Sequence, residues 1–360
     1  MVKRRVHRVH RRRGLVLGLV VSILLLFVIS FFNTLVSGEN FAENGYSQIL
    51  PLTAEDFLLP PPAEEATTIR IFGLNDVEFD FSTNYDDVQM VLDTLYPRAL
   101  EVDLEDLRNP ATLRNSMYIV DNRTLFLPEM FDVDQMIGRD LRINPEKIGG
   151  TAPVVLIFHT HTTEMFVDSD PSDKYTGIVG IGAYLTELLN ARGIPTMHYT
   201  RRFDIVDGRS HIFGAYERQE PYIRQILADN PSIEIIIDIH RDGIEDPAPR
   251  LITYVNGERT ARLMFVNGLS TRNVNGVAVP IAYLPNPNRA CNLAFSFQMQ
   301  MELNQSHPGL NRRIYLNAFR FSTHFLPKSL FVEVGDQRNT FGEAINAMYP
   351  LADALVNLLK

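Results

Sequence analysis

The stretch VVLIFHTHTTEMF (154–166) sets two histidines, His159 and His161, and a carboxylate, Glu164, directly after a run of branched apolar residues. Two further stretches have the same character: IEIIIDIH (233–240) ends on His240, and SLFVEV (329–334) carries Glu333. Imidazole nitrogens and carboxylate oxygens are donors for Zn²⁺, and three such donors with a fourth position left to water is the arrangement of a catalytic zinc site. His161 and Glu164 stand at His-x-x-Glu spacing, which lets both approach one ion from a single turn, and His240 supplies the distant third donor. His159 is the alternative donor, although its place nearer the strand points it to the opposite side of the pleat. Glu333, outside the donor set, is the candidate to take a proton from the water. Arg241, next to His240, is a candidate to steady a developing oxyanion.

Each segment also has a purely structural explanation. Thr160, Thr162 and Thr163 offer capping hydroxyls to a strand-to-helix turn, with Glu164 completing a capping box. His240 fits a buried histidine held by Asp238 or Asp242, and Arg241 fits an ion pair with either. Glu333 alone fits a salt-bridge partner on an edge strand. It is the recurrence of polar groups at the ends of three apolar runs that favours a site. His198, His211, His307 and His324 lack that setting, although His211, beside Arg209 and Tyr216, is placed to line a cleft.

These groups need elements to bring them together. PVVLIFH (153–159) is a continuous run of branched apolar residues, as expected of a strand buried on both faces, and the isoleucine-rich 233–240 reads as a second such strand. Between them, 177–193 has helical spacing and stops at Gly193, IPTMHYT reads as a strand, and FGAYERQEPYIRQILADN reads as a helix. The order βαβαβ predicts an α/β fold, a mainly parallel sheet with helices on both faces. In such sheets ligands bind at the carboxyl ends of the strands, where the polar groups lie. RLITYVNGERTARLMFVNG (250–268) reads as a hairpin turning at Asn256-Gly257, followed by a helix near 289–305, the strand 329–334 and a last helix over 340–359.

The N-terminus has another texture. Lys3, Arg4, Arg5, Arg8, Arg11, Arg12 and Arg13 precede 14–32, which contains no charge. Nineteen residues at about 1.5 Å each span roughly 28 Å, close to a bilayer's hydrocarbon thickness, and the segment is longer than the usual core of a cleaved signal peptide. The expected organisation is a cytoplasmic basic tail (1–13), a transmembrane helix (14–32), an extracytoplasmic linker (33–67) stiffened by LPPPAEEATT, a small membrane-proximal region (68–146) and a catalytic domain (147–360). In the membrane-proximal region TIRIFG, SMYIV and TLFL read as strands and DDVQMVLDTLY as a helix. Seven of the 34 basic residues and none of the 43 acidic ones lie ahead of the anchor, so the outer part carries 27 basic against 43 acidic residues. An acidic exterior argues against nucleic acid as a partner. With Cys291 as the sole cysteine, neither an intramolecular disulfide nor a cysteine metal site is available.

The segments VLIFHTHTTEMF, GAYERQ, IIIDIHRDG, RLMFVNG, NPNRACNLAFSFQMQMEL, HPGLNRRIYL and SLFVEVGDQRNTFGEA, in this order and spacing, resemble the stage II sporulation protein P family of membrane-anchored cell-wall hydrolases. The resemblance covers about 150–360. It implies a zinc-dependent N-acetylmuramoyl-L-alanine amidase that cleaves the glycan–peptide amide of peptidoglycan and also peptide cross-links. It further implies action in engulfment, with a lytic transglycosylase and a multispanning membrane protein as partners. Carried over by motif, the metal ligands fall on the 159–164 segment and His240, and the general base falls on Glu333. Two alternatives fit the same residues: a zinc carboxypeptidase acting on stem peptides, which needs an arginine to hold a terminal carboxylate, and a non-catalytic wall-binding scaffold.

Overall fold

The computed structural model describes residues 68–70, 78–80, 103–244 and 250–360. The anchor at 14–32, the linker and the helix expected at DDVQMVLDTLY lie outside these residues. Among the described residues no helix is long and apolar enough to cross a membrane. The backbones of Thr68–Arg70 and Glu78–Asp80 pair antiparallel.

Seven strands form the main sheet: β1 (Tyr118–Val120), β2 (Val155–Phe158), β3 (Thr196–Tyr199), β4 (Ile235–Asp242), β5 (Leu263–Gly268), β6 (Ile314–Asn317) and β7 (Lys328–Asp336). Their order across the sheet is β1-β6-β5-β7-β4-β2-β3. Every neighbouring pair is parallel except β5 with β7. The helices are α1 (Leu104–Leu107), α2 (Pro110–Met117), α3 (Val133–Gly138), α4 (Ile178–Ala191), α5 (Ala215–Asp229), α6 (Arg289–Ser306), α7 (Phe341–Asn346) and α8 (Met348–Leu359). The mainly parallel α/β sheet read from the sequence is therefore present, with an antiparallel seam that the apolar runs did not disclose.

The two faces are covered unequally. Val155, Ile157, Ile237, Ile239 and Val332 pack with residues of α4, α6 and α8 in one large core. Leu156, Phe158 and Ile236 point the other way and meet Ile223 of α5 in a much smaller one. The alternation follows from the period-2 pleat, and both faces are apolar because helices lie on each. From β2 the chain passes through α4 to β3 on one side, then through α5 to β4 on the other. The sheet order thus reverses between β2 and β4, the switch point where α/β sheets bind ligands.

Three differences from the sequence reading have physical causes. The boundary at 146/147 does not separate two cores: β1 pairs with β6, and Leu107, Met117, Phe131 and Met136 belong to the large core. Residues 250–268 do not make one hairpin. Ile252–Val255 and Glu258–Ala261 pair around Asn256 and Gly257, both at positive φ, whereas β5 leaves to join the sheet beside β7. The last helix is broken at Ala347, which caps both α7 and α8.

Candidate functional site

Strands β2, β4 and β7 run in one direction, so their carboxyl ends meet at one edge. In β4 and β7, Asp238 is paired with Phe331 and His240 with Glu333. Residues paired across parallel strands share a face, so these four side chains stand together on the α5 side. A bulge between Glu333 and Asp336 ends this register. Its Gly335 lies at φ +61, where an added Cβ would sit 2.4 Å from Asn339 Oδ1. Bulges of this kind re-aim side chains next to active sites.

His161 is buried, and both its ring nitrogens lack a hydrogen-bond partner. Its ring stands edge-on to Tyr216 of α5 at 5.5 Å and to His240 at 5.3 Å. Burial lowers its pKa to about 4, which keeps the imidazole neutral and its lone pair available. His240 Nδ1 lies 3.3 Å from Glu164 Oε1, and its Nε2 lies 2.8 Å from Asp238 Oδ1. Burial alone would lower the His240 pKa, but Asp238 and Glu164 outweigh it and hold it well above the usual value. Phe331 stacks flat beneath the His240 ring at 4.3 Å and fixes its plane. Glu164 Oε2 accepts a hydrogen bond from the Arg241 backbone N–H at 3.0 Å. The carboxylate therefore turns back onto β4 and does not cap a helix.

His161, Glu164 and His240 are thus brought together, and His159 is not. The His159 Nδ1–H donates to the Ile239 carbonyl at 2.9 Å, and its Nε2 lies 2.9 Å from His198 Nε2. Burial, followed by repulsion from His198, pushes the His159 pKa down to about 3, so the ring is neutral and Nε2 accepts from His198. An added Cβ on Gly182 of α4 would stand 2.4 Å from that Nε2. His159 is therefore packed under α4, with both nitrogens engaged, and does not join the donor set.

Arg241 also departs from expectation. Its Nε donates to the Met165 carbonyl at 3.0 Å and its Nη1 to the Asp242 carbonyl at 3.2 Å. Next to His240 on a strand, it leaves from the opposite face. It anchors the 164–165 backbone and does not point at a reacting group. The expected ion pair is absent as well, since Asp242 binds Arg312 at 2.7 Å inside the protein.

Glu333 is 1 % exposed, and its Oε2 has no hydrogen-bond partner. Burial first, then repulsion from Asp242, raises its pKa well above the carboxylate range, against the pull of His240.

A family model described as Stage II sporulation protein P matches residues 107–356. The chain belongs to the stage II sporulation protein P family. That match begins ahead of β1, in keeping with a fold that starts upstream of 147. The stage II sporulation protein P of Bacillus subtilis (strain 168) is 22% identical over 224 residues, a stretch that covers 58% of this chain and 52% of the relative. The chain thus spans about half the length of that curated family member.

Solved structures of two N-acetylmuramoyl-L-alanine amidases are similar at a lower level. AmiC2 of Nostoc punctiforme has a TM-score of 0.32 at 14% identity, over 57% of this chain and 94% of its own. The catalytic domain of CwlV from Bacillus (Paenibacillus) polymyxa var. colistinus has 0.34 at 13%, over 57% and 97%. Likenesses this slight carry nothing about the chemistry of a family member, which rests on its own residues.

Among the described residues, no three His, Cys, Asp or Glu side chains stand as a finished metal site. Glu164 and His240 instead touch each other. The donor chemistry nonetheless fits Zn²⁺: a neutral imidazole with two unpartnered buried nitrogens, a second imidazole and a carboxylate. Asp238 at the second imidazole supplies the outer partner that metal-binding histidines commonly have.

Asp238, read from the sequence as a candidate holder of His240, also shapes this place, together with Gln219 and Asp204, which that reading passed over. Asp238 accepts from Thr160 N–H at 3.0 Å and from its hydroxyl at 2.6 Å, and Thr160 also reaches Gln219. Asp204, 0 % exposed, accepts from Thr162 and Thr163. The i, i+2 spacing of Asp238 and His240 was a visible signal. Asp204 lies in a loop and gave none.

Proposed function

We propose that this chain is a zinc-dependent peptidoglycan hydrolase of the N-acetylmuramoyl-L-alanine amidase type. In this reading it is anchored by residues 14–32 with its catalytic domain outside the membrane, and it works in the wall remodelling of sporulation. Its partners would be peptidoglycan and, through the family resemblance, a lytic transglycosylase and a multispanning membrane protein. Family membership supports the setting. The observation that carries the chemistry is His161, a neutral buried imidazole without partners, set against His240 and its Glu164.

A Zn²⁺ ion held by His161, Glu164 and His240 would supply a Lewis acid for the amide carbonyl and a water acidified to a pKa of about 7. Glu333, on the same face as His240, is the proton carrier. Its raised pKa makes it a stronger proton acceptor than a free carboxylate, suited to take the proton of the attacking water and pass it to the leaving amine. Tyr216 and Phe331 cover one side of the two imidazoles and keep water from them.

Mass analysis of muropeptides released from purified peptidoglycan by the protein tests this reading. Intact stem peptides beginning with L-alanine, released from bare glycan and lost on chelation, are the expected products. Loss of single carboxy-terminal residues would make the protein a carboxypeptidase, and no release by zinc-loaded protein would leave the scaffold reading.

A further inference from the structure

The turn that carries His161 and Glu164 follows β2, which ends at Phe158, and is tied to β4 at its two ends, by Thr160 to Asp238 and by Glu164 and Met165 to Arg241. Between those ends, one buried carboxylate from elsewhere holds it. Asp204 Oδ1 accepts from the Thr162 hydroxyl at 2.6 Å, and Oδ2 accepts from the Thr163 N–H at 2.8 Å and the Thr163 hydroxyl at 2.7 Å. Both oxygens are thus engaged with the two residues that separate His161 from Glu164. A buried carboxylate is costly unless such bonds surround it, so this arrangement is held in one geometry.

The loop that presents Asp204 is itself fixed. The Arg218 side chain of α5 donates to the carbonyls of Phe203 at 2.7 Å and Phe213 at 2.9 Å, and also to that of His211. The Asp204 carbonyl accepts from the His211 N–H at 2.7 Å. At Gly214, φ +76, an added Cβ would stand 2.8 Å from Arg218 Nη1. A continuous set of hydrogen bonds therefore runs from α5 through 203–213 and Asp204 to the turn between the two proposed ligands.

We infer that Asp204 is the positioning residue of the site, the group that sets the separation of His161 and Glu164 and so the affinity for the metal. This rests on the zinc reading above. Outer partners of metal ligands typically govern affinity by about 10–100-fold. An asparagine in place of Asp204 keeps the shape but removes the charge that strengthens all three bonds, so the turn is held less tightly.

The test compares full-length wild type with Asp204→Asn and the milder Thr162→Val, which removes one of the three bonds. Two readouts are used: hydrogen exchange at the Thr163 amide, and Zn²⁺ affinity by competition with a chromophoric chelator, with Co²⁺ spectra as a geometric check. Asp204→Asn is expected to speed exchange at Thr163 while amides of β4 stay protected, to weaken Zn²⁺ about 10–100-fold and to shift the Co²⁺ bands. Thr162→Val should do the same to a smaller degree, and it decides the matter if Asp204→Asn does not fold. Unchanged exchange and affinity in a folded variant overturn the inference. If wild type takes up no Zn²⁺, the metal reading fails, and Asp204 is then judged on the Thr163 exchange alone.

Discussion

Glu333→Gln separates the proton-transfer role of this side chain from any structural one, because its consequences for stability and for rate have opposite signs. Glu333 is 1 % exposed, lacks a partner at Oε2 and is repelled by Asp242. Its pKa is raised in the folded protein, so the folded state holds the proton more tightly than the unfolded chain does. Whatever stability this group gives is complete below the ordinary value of 4.5 and is lost as pH rises towards the folded pKa. Above that window the wild type carries a poorly compensated buried charge. Glutamine has the same shape and cannot ionise. Relative to wild type, the metal-free variant should therefore gain stability as pH rises above 4.5, by up to about 1.4 kcal/mol per pH unit until the folded pKa is reached, and the gain should shrink towards pH 5.

Catalysis should move the other way, since loss of a general base costs about 10²–10⁴-fold. The assay pairs thermal melts of metal-free wild type and variant between pH 5 and 8 with zinc content and release of stem peptide. At about 2–4 °C per kcal/mol for a domain of this size, the gain at pH 8 is several degrees. Equal melting temperatures across the range would refute the buried-charge reasoning. Full activity would remove Glu333 from proton transfer, and loss of zinc would make it a ligand.

Three further outcomes follow from the fold and the site. A fragment starting at 103 should fold, whereas one starting at 147 should not. The latter discards Leu107, Leu113, Met117, Phe131, Val133 and Met136 from the core, worth about 9–18 kcal/mol at 1.5–3 each, against a typical total of about 5–15; equal cooperative melts would show otherwise. His161→Ala should lose zinc while His159→Ala keeps it and melts earlier, and metal analysis showing the reverse would exchange their roles. His198, with its pKa lowered to about 4 chiefly by burial, and His159, lowered to about 3, are neutral when folded. The unfolded chain therefore binds protons first as pH falls below about 6.5, and stability drops by about 1.4 kcal/mol per pH unit for each; His198→Gln should flatten denaturation midpoints between pH 4 and 6, and a profile parallel to wild type would count against this.

What the sequence disclosed, and what it hid, follows the physics of each element. β2 and β4 were legible because strands covered on both faces need unbroken apolar runs, and the polar residues that end those runs had to emerge at the sheet edge. The choice between His159 and His161 was less open than it looked. Ile157 faces α4, so two residues on, His159 continues that face and lands under Gly182. β1 was read as a strand but assigned to a separate region. It is three residues long, and its one strand partner among the described residues, β6, lies nearly two hundred residues downstream, a pairing that no local pattern encodes.

The chemical environment was the least legible part. From sequence, Glu333 sits near the end of a strand and fits either a base or a salt-bridge partner on an edge strand. In the fold, β5 joins antiparallel on its outer side, and Met264 pairs with it there. Burial and the approach of Asp242 then raise its pKa. The antiparallel seam, which no periodicity announces, thus makes a strand glutamate into a group that holds its proton more tightly than a free carboxylate. The same seam brings the start of β6, and with it Arg312, to the edge where Asp242 ends β4. Arg312 neutralises Asp242 and so limits the repulsion felt by Glu333. Topology, more than any motif, sets how tightly Glu333 holds its proton in this site.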